Sequence, residues 1–132
     1  VILGLGTDVV DLERIRSIVS SPAAERFALR VLCSDEQEVF RARAELSKER
    51  GVKYLASRYA GKEAFSKAMG SGVGAEFSFQ DLSILNGQSG QPVMVYSKRL
   101  QEWLDDRGAQ AHISLSDEKN ICLATVILSN NK

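Results

Sequence analysis

The sequence predicts an α+β fold, a mainly antiparallel sheet packed against one long helix. Two observations carry this expectation. The apolar patterns run in the order strand, several helices, hairpin, short helix, second hairpin, which gives antiparallel rather than crossover-linked strands. Between the early helices and the first hairpin, residues 52–69 form an unbroken helical pattern long enough to be the central element. The length of 132 residues, with no linker, repeat or low-complexity tract, suits a single domain over 1–132.

Each element has its own signal. Residues 1–10 read as a strand, rich in β-branched side chains and holding Gly4 and Gly6. Asp11 is placed to cap a helix whose apolar residues Leu12, Ile15, Ile18 and Val19 recur at helical spacing. Ser20, Ser21 and Pro22 end it and open a second helix with Phe27, Val31 and Leu32 on one side. Ser34 and Gln37 make a capping-box pattern for a third helix carrying Val39 and Phe40. The charged stretch 41–51 reads as a loop or a solvated helix end. The long helix 52–69, anchored by Leu55, Tyr59 and Phe65, stops at Gly70. Strands over 77–85 and 92–97 flank a glycine-containing turn. A short helix over 98–107 stops at Gly108, and strands over 111–116 and 121–128 flank a turn of Asp117, Glu118, Lys119 and Asn120.

Composition excludes several classes of function. The 17 Lys+Arg offset 17 Asp+Glu, so the formal net charge is zero, which argues against a broad nucleic-acid binder. Cys33 and Cys122 stand far apart with no CxxC or Cys/His cluster, excluding a zinc module or a disulfide scaffold. No apolar stretch approaches the ~18–20 residues of a membrane span. The apolar start is short and lacks the basic flank of a signal peptide. Cytoplasm is the expected compartment.

Five groups of residues are candidates for chemistry. Asp8 is a carboxylate late in an otherwise apolar strand, which is costly unless it is paired, capped or on a hard cation. Gly4 and Gly6 do not make it a dinucleotide fingerprint, because the third glycine is missing. On the long helix, Arg58, Lys62 and Ser66 lie at i, i+4, i+8, and Glu63 and Lys67 at i, i+4. They are either a solvated face or a carboxylate for a metal amid cations for phosphates. Gly70, Gly72 and Gly74 follow this helix at its negative end, the wrong polarity for a P-loop. His112, the only histidine, shares an alternating strand face with Ser114 and Ser116. Arg14, Arg16, Arg26 and Arg30 give the first two helices a basic surplus suited to an acidic protein or to solvent.

Two motifs resemble the holo-(acyl-carrier-protein) synthases, the short members of the 4′-phosphopantetheinyl transferases. One is Gly6-Thr7-Asp8-Val9-Val10-Asp11-Leu12. The other is Arg58-Tyr59-Ala60-Gly61-Lys62-Glu63-Ala64-Phe65-Ser66-Lys67-Ala68. Supporting matches occur from Arg26 to His112, in order along nearly the whole chain. The resemblance implies transfer of the phosphopantetheine arm of coenzyme A to a serine of apo acyl carrier protein, releasing adenosine 3′,5′-bisphosphate in support of fatty acid biosynthesis. It implies Asp8 and Glu63 as ligands of Mg²⁺ and Lys67 as the group stabilising or protonating the leaving phosphate. Arg58 and His112 would contact the 3′-phosphate, with Lys62, Ser66, Gly70, Gly72 and Gly74 shaping the nucleotide pocket. Arg14 and Arg26 would meet the acidic carrier. The base for the carrier serine would be Glu63, a metal-bound water or another carboxylate such as Asp35. The family also implies a homotrimer with its site between subunits. Another Mg²⁺-dependent phosphotransferase or phosphohydrolase, or a non-catalytic module binding an acidic protein, are the alternatives.

Overall fold

Gly4 and Gly6 lie on the first strand, β1 (Ile2–Asp11), and their lack of a side chain positions the longest helix of the protein. That helix, α4 (Lys48–Met69), crosses β1 so closely that a Cβ on Gly4 would collide with the Ala68 carbonyl. One on Gly6 would collide with the Ala64 carbonyl and sit 2.7 Å from the Ala68 nitrogen. Only glycine on the strand, facing alanine on the helix, permits this approach. The fold is seen here in a computed structural model, which describes residues 1–131.

The remaining elements follow the expected order. Helices α1 (Leu12–Val19), α2 (Ala24–Val31) and α3 (Ser34–Leu46) lie between β1 and α4 in the chain. A 3-10 turn (Phe79–Asp81), β2 (Leu82–Asn86), β3 (Pro92–Tyr96), α5 (Lys98–Asp106), β4 (Gln110–Asp117) and β5 (Ile121–Ser129) follow α4. The described residues form two antiparallel sheets, β1-β5-β4 and β2-β3. The inner face of the larger sheet presents Val10, Cys122, Ala124, Val126 and Leu128, which pack with Ala60, Ala64 and Phe65 of α4 in one apolar core. Gly61 performs a second close fit: a Cβ there would stand 2.6 Å from Ile84 Cδ1 and 3.3 Å from Ile113 Cδ1.

Asp11 caps α1 as expected, its carboxylate accepting from the Glu13 N–H at 2.9 Å. Two expectations are corrected, at α3 and at residue 77, and the helical alternative for residues 41–51 stands. The capping box of α3 is shifted by one: Glu36 accepts from the Cys33 N–H at 2.8 Å, and Ser34 is already helical. Glu36 serves because its carboxylate is drawn inward by a buried partner described below. The stretch 41–51 is helix on both sides of a break at Ser47, whose hydroxyl accepts from the Arg50 N–H and starts α4 early. The strand expected from residue 77 begins only at Leu82, because Asp81 folds back onto the Ser78 N–H and makes the 3-10 turn. Asp81 also receives Arg99 and Ser97; burial alone would raise its pKa, but these bonds hold it at about 2.

Gly6→Ala should therefore cost at least about 2 kcal/mol in urea denaturation, since the added methyl meets backbone rather than a movable side chain. Gly74→Ala, where the added methyl meets open space, should cost far less, and equal losses would show that the β1–α4 approach is not limiting.

Candidate functional site

Asp8 faces inward on β1, opposite Ala124 of β5, and so points at α4. Lys67 reaches it from the last turns of that helix, with Nζ 3.2 Å from Asp8 Oδ1 and 3.0 Å from the Thr7 carbonyl. Glu63 lies one turn before Lys67 on the same side of α4. Its pKa is raised, first by burial and then by the charge of Asp8; Lys67, the Tyr59 hydroxyl and Arg30 act in the opposite sense. Asp8 from β1 and Glu63 and Lys67 from α4 thus form one centre, in which the ammonium bonds Asp8 and lies within electrostatic reach of Glu63. The donors are hard oxygens. Among the described residues, no three of His, Cys, Asp and Glu converge into a closed metal cage. A pair of carboxylates with an open side fits Mg²⁺, which keeps several positions for water and substrate phosphate.

Aromatic rings extend this centre towards the early helices. Tyr59 packs between Phe27 of α2 and Phe79, with ring centroids at 5.4 Å and 5.8 Å. Arg14 of α1 lies 5.6 Å over the Tyr59 ring, and Arg30 of α2 lies 5.5 Å over Phe79. Arg26 is exposed on α2. Arg16 is held elsewhere, by Glu49 at 2.9 Å and Glu13 at 3.2 Å.

Arg58, Lys62 and Ser66 do share one face of α4, as their spacing predicts, but it is the interior face. Arg58 is 4% exposed, and Lys62 and Ser66 are fully buried. Lys62 is therefore corrected as a nucleotide contact. Its Nζ donates to Glu36 Oε1 at 2.6 Å, the Val31 carbonyl at 2.7 Å and the Phe79 carbonyl at 3.0 Å. Glu36 completes the knot by accepting from the Ile84 N–H at 2.8 Å. The Ser66 hydroxyl is likewise turned back, onto the Glu63 carbonyl at 2.7 Å. The glycine loop offers no phosphate nest in this conformation: the N–H groups of Gly70, Gly72 and Gly74 donate to the carbonyls of Lys67, Ser66 and Phe77.

Arg58 borders a different space. Its guanidinium stacks 4.2 Å over Tyr54 and donates to the Ile84 carbonyl and Asn86 Oδ1, and its burial lowers its pKa. Beside it is a recess of about 200 Å³ lined by Arg43, Lys53, Tyr54, Ser116 and Asp117 among others. Arg43 and Lys53 were not among the sequence candidates. They meet across the break at Ser47, which no local pattern reveals. Tyr59 and Arg30 were visible only as an apolar anchor and a member of a basic surplus. Tyr59 was nonetheless legible at i, i+4 from Glu63. His112 does not join Arg58. It lies on the outer face of the larger sheet, with Nε2 3.1 Å from Ser129 Oγ.

This α+β fold belongs to a known class. A family model described as the 4′-phosphopantetheinyl transferase superfamily matches residues 4–126. The holo-(acyl-carrier-protein) synthase of Paraburkholderia phytofirmans is 42% identical over 126 residues, covering 96% of this chain and 89% of that protein. The crystal structure of the Neisseria meningitidis enzyme of that name superposes with a TM-score of 0.87 at 36% identity, covering 98% of this chain and 100% of that one. A Bacillus anthracis holo-(acyl-carrier-protein) synthase, solved in complex with CoA (3′,5′-ADP), gives a TM-score of 0.81 at 32% identity and 98% coverage of both chains. The chain belongs to the holo-(acyl-carrier-protein) synthases, enzymes of the 4′-phosphopantetheinyl transferase superfamily.

Lys62→Met should lower stability by about 3–5 kcal/mol, because it leaves the Glu36 carboxylate buried without its cation. Unchanged stability with weakened coenzyme A binding would instead return Lys62 to the ligand site.

Proposed function

We propose that this enzyme transfers the 4′-phosphopantetheine group of coenzyme A to a serine of apo acyl carrier protein. The products are holo carrier protein and adenosine 3′,5′-bisphosphate, with Mg²⁺ required and fatty acid biosynthesis supplied. The observation that carries the reading is the convergence of Asp8, Glu63 and Lys67 from β1 and α4. In the reaction the carrier serine oxygen bonds to the phosphorus that bears the pantetheine. The bond from that phosphorus to the bridging oxygen breaks, and the electron pair leaves with the bisphosphate. Asp8 and Glu63 are the residues that would hold Mg²⁺, which when bound supplies charge neutralisation and alignment of the pyrophosphate. Lys67, half-exposed beside them, stabilises or protonates the leaving phosphate. The serine's proton passes to Glu63, to a water of the site or to another carboxylate. Arg58 binds the nucleotide end, with Arg43 and Lys53 adding positive charge around the same recess.

Arg14 and Arg26 are the carrier contacts in this reading, joined by Arg30. Arg14 lies over the Tyr59 ring, which connects this surface to Glu63, and Arg30 lies over the neighbouring Phe79 ring. Opposite charge there favours fast, salt-sensitive encounter with an acidic partner.

The working form is a homotrimer. The outer face of the larger sheet leaves Leu5 65% and Val9 59% exposed, with Leu3, Ile121 and Leu123 also exposed. Such a patch is characteristic of an interface. His112 lies on that outer face while Arg58 lies beyond the inner one, so both reach one 3′-phosphate only if neighbouring copies supply one each. Sedimentation should give three times the chain mass for the native protein and a smaller mass for Leu5→Asp. A native monomer with full activity would contradict a shared site.

The reaction is read directly by incubating enzyme, coenzyme A, Mg²⁺ and apo carrier protein, then weighing the carrier by mass spectrometry. The carrier should gain one phosphopantetheine arm. Asp8→Asn and Glu63→Gln should each abolish the gain while leaving the fold intact. Arg14→Glu or Arg26→Glu should mainly raise the carrier concentration required. Full activity in either carboxylate variant would overturn the metal assignment, and no gain with the native enzyme would overturn the function.

A further inference from the structure

We propose that Lys67 serves two anions in turn. In the metal-free protein its ammonium is the counter-ion of Asp8; it gives up Asp8 to the divalent cation and turns to the donor's phosphate. This deepens the reading above and rests on its metal site.

Lys67 is held more loosely than the cations of the three multiply bonded ion pairs, Arg99–Asp81, Arg16–Glu49 and Lys62–Glu36. Arg99 grips Asp81 through Nε and Nη2, and Arg16 grips Glu49 through Nε against both carboxylate oxygens. Lys62 is fully buried with a carboxylate and two carbonyls around its Nζ. Lys67 touches Asp8 through one oxygen at 3.2 Å, its only other partner is the neutral Thr7 carbonyl, and its side chain is 52% exposed. A one-pronged, half-exposed pair is weakly held. The ammonium is a compact charge on a flexible four-carbon stem, free to swing without moving α4.

Its position is also the one a divalent cation would claim. Asp8 Oδ1 carries the ammonium, and Glu63 lies one turn before Lys67 on the same side of α4. The two carboxylates call for more positive charge than a single lysine supplies. A divalent cation and an ammonium both bound at Asp8 Oδ1 would repel at close range. Lys67 must therefore leave Asp8 when the metal binds, and its nearest new anion is the phosphate that the metal holds. The lysine thus weakens metal binding in the resting protein and is released for the donor only once the metal is in place. Metal and donor then strengthen each other's binding, as linkage requires.

The test is Mn²⁺ binding without donor or carrier, followed by the electron paramagnetic resonance signal of free Mn²⁺. Native protein, Lys67→Met, Lys67→Arg and Asp8→Asn are compared, each checked by circular dichroism. Lys67→Met should bind Mn²⁺ about 3- to 10-fold tighter than native protein, although it loses group transfer. Lys67→Arg, which keeps the charge, should bind no tighter than native protein. Equal or weaker binding by Lys67→Met, or tightening by Lys67→Arg of the same size, would overturn the proposal while leaving the metal site standing. Absence of Mn²⁺ binding in native protein and Lys67→Met alike, or native-like binding by Asp8→Asn, would instead remove the metal site and this inference with it.

Discussion

The contact of α4 against the two glycines of β1 is the constraint on which the rest of the structure depends. Backbone meets backbone there, with the Ala64 and Ala68 carbonyls occupying the space that side chains at Gly6 and Gly4 would take. The approach places the helix across the strand at a depth that lets a lysine from α4 reach the next inward residue of β1, Asp8. A wider separation, set by ordinary side chains, would leave Asp8 an unpaired carboxylate at the edge of an apolar core, a costly arrangement. The Gly4–Gly6 pair thus has a structural purpose, the seating of a helix, and Asp8 inherits its functional position from it.

Two lysines five residues apart on α4 have opposite fates for a related reason. At about 100° per residue, Lys62 and Lys67 diverge by about 140° around the helix. With α4 fixed against β1, the side of Lys67 opens at the strand edge, and the side of Lys62 is enclosed by α2, α3 and β2. An enclosed ammonium needs full compensation, and Glu36 with the Val31 and Phe79 carbonyls provides it. That buried knot ties the end of α2 and the start of α3 to the residue preceding Glu63. The arginine-bearing helices and the carboxylate centre are consequently parts of one rigid arrangement.

Much of this was legible in the sequence. The element order, the Asp11 cap and the Gly70 stop depend on local chemistry, and each stands in the structure. The Asp8 and Glu63 motifs pointed to one centre only through their resemblance to the family, since each residue read alone also suited a cap, a buried pair or a solvated face. What local pattern could not show was which side of α4 would be covered. Arg58, Lys62 and Ser66 do cluster at helical spacing, yet that face is interior, because α3 and β2 close over it through contacts distant in sequence. The recess formed by Arg43, Lys53 and Arg58 was hidden for the same reason, since it depends on the bend at Ser47. His112 was placed correctly on its strand face, but which side of the sheet that face occupies follows from the packing of α4 on the other.

The central claim is that the seating of α4 on β1 makes Asp8 and Glu63 two ligands of one cation beside Lys67. Anomalous diffraction from crystals grown with Mn²⁺ tests it most directly. The account predicts one peak held by both carboxylates, with the Lys67 ammonium withdrawn from Asp8. A peak held by one of them alone, or by neither, would contradict it.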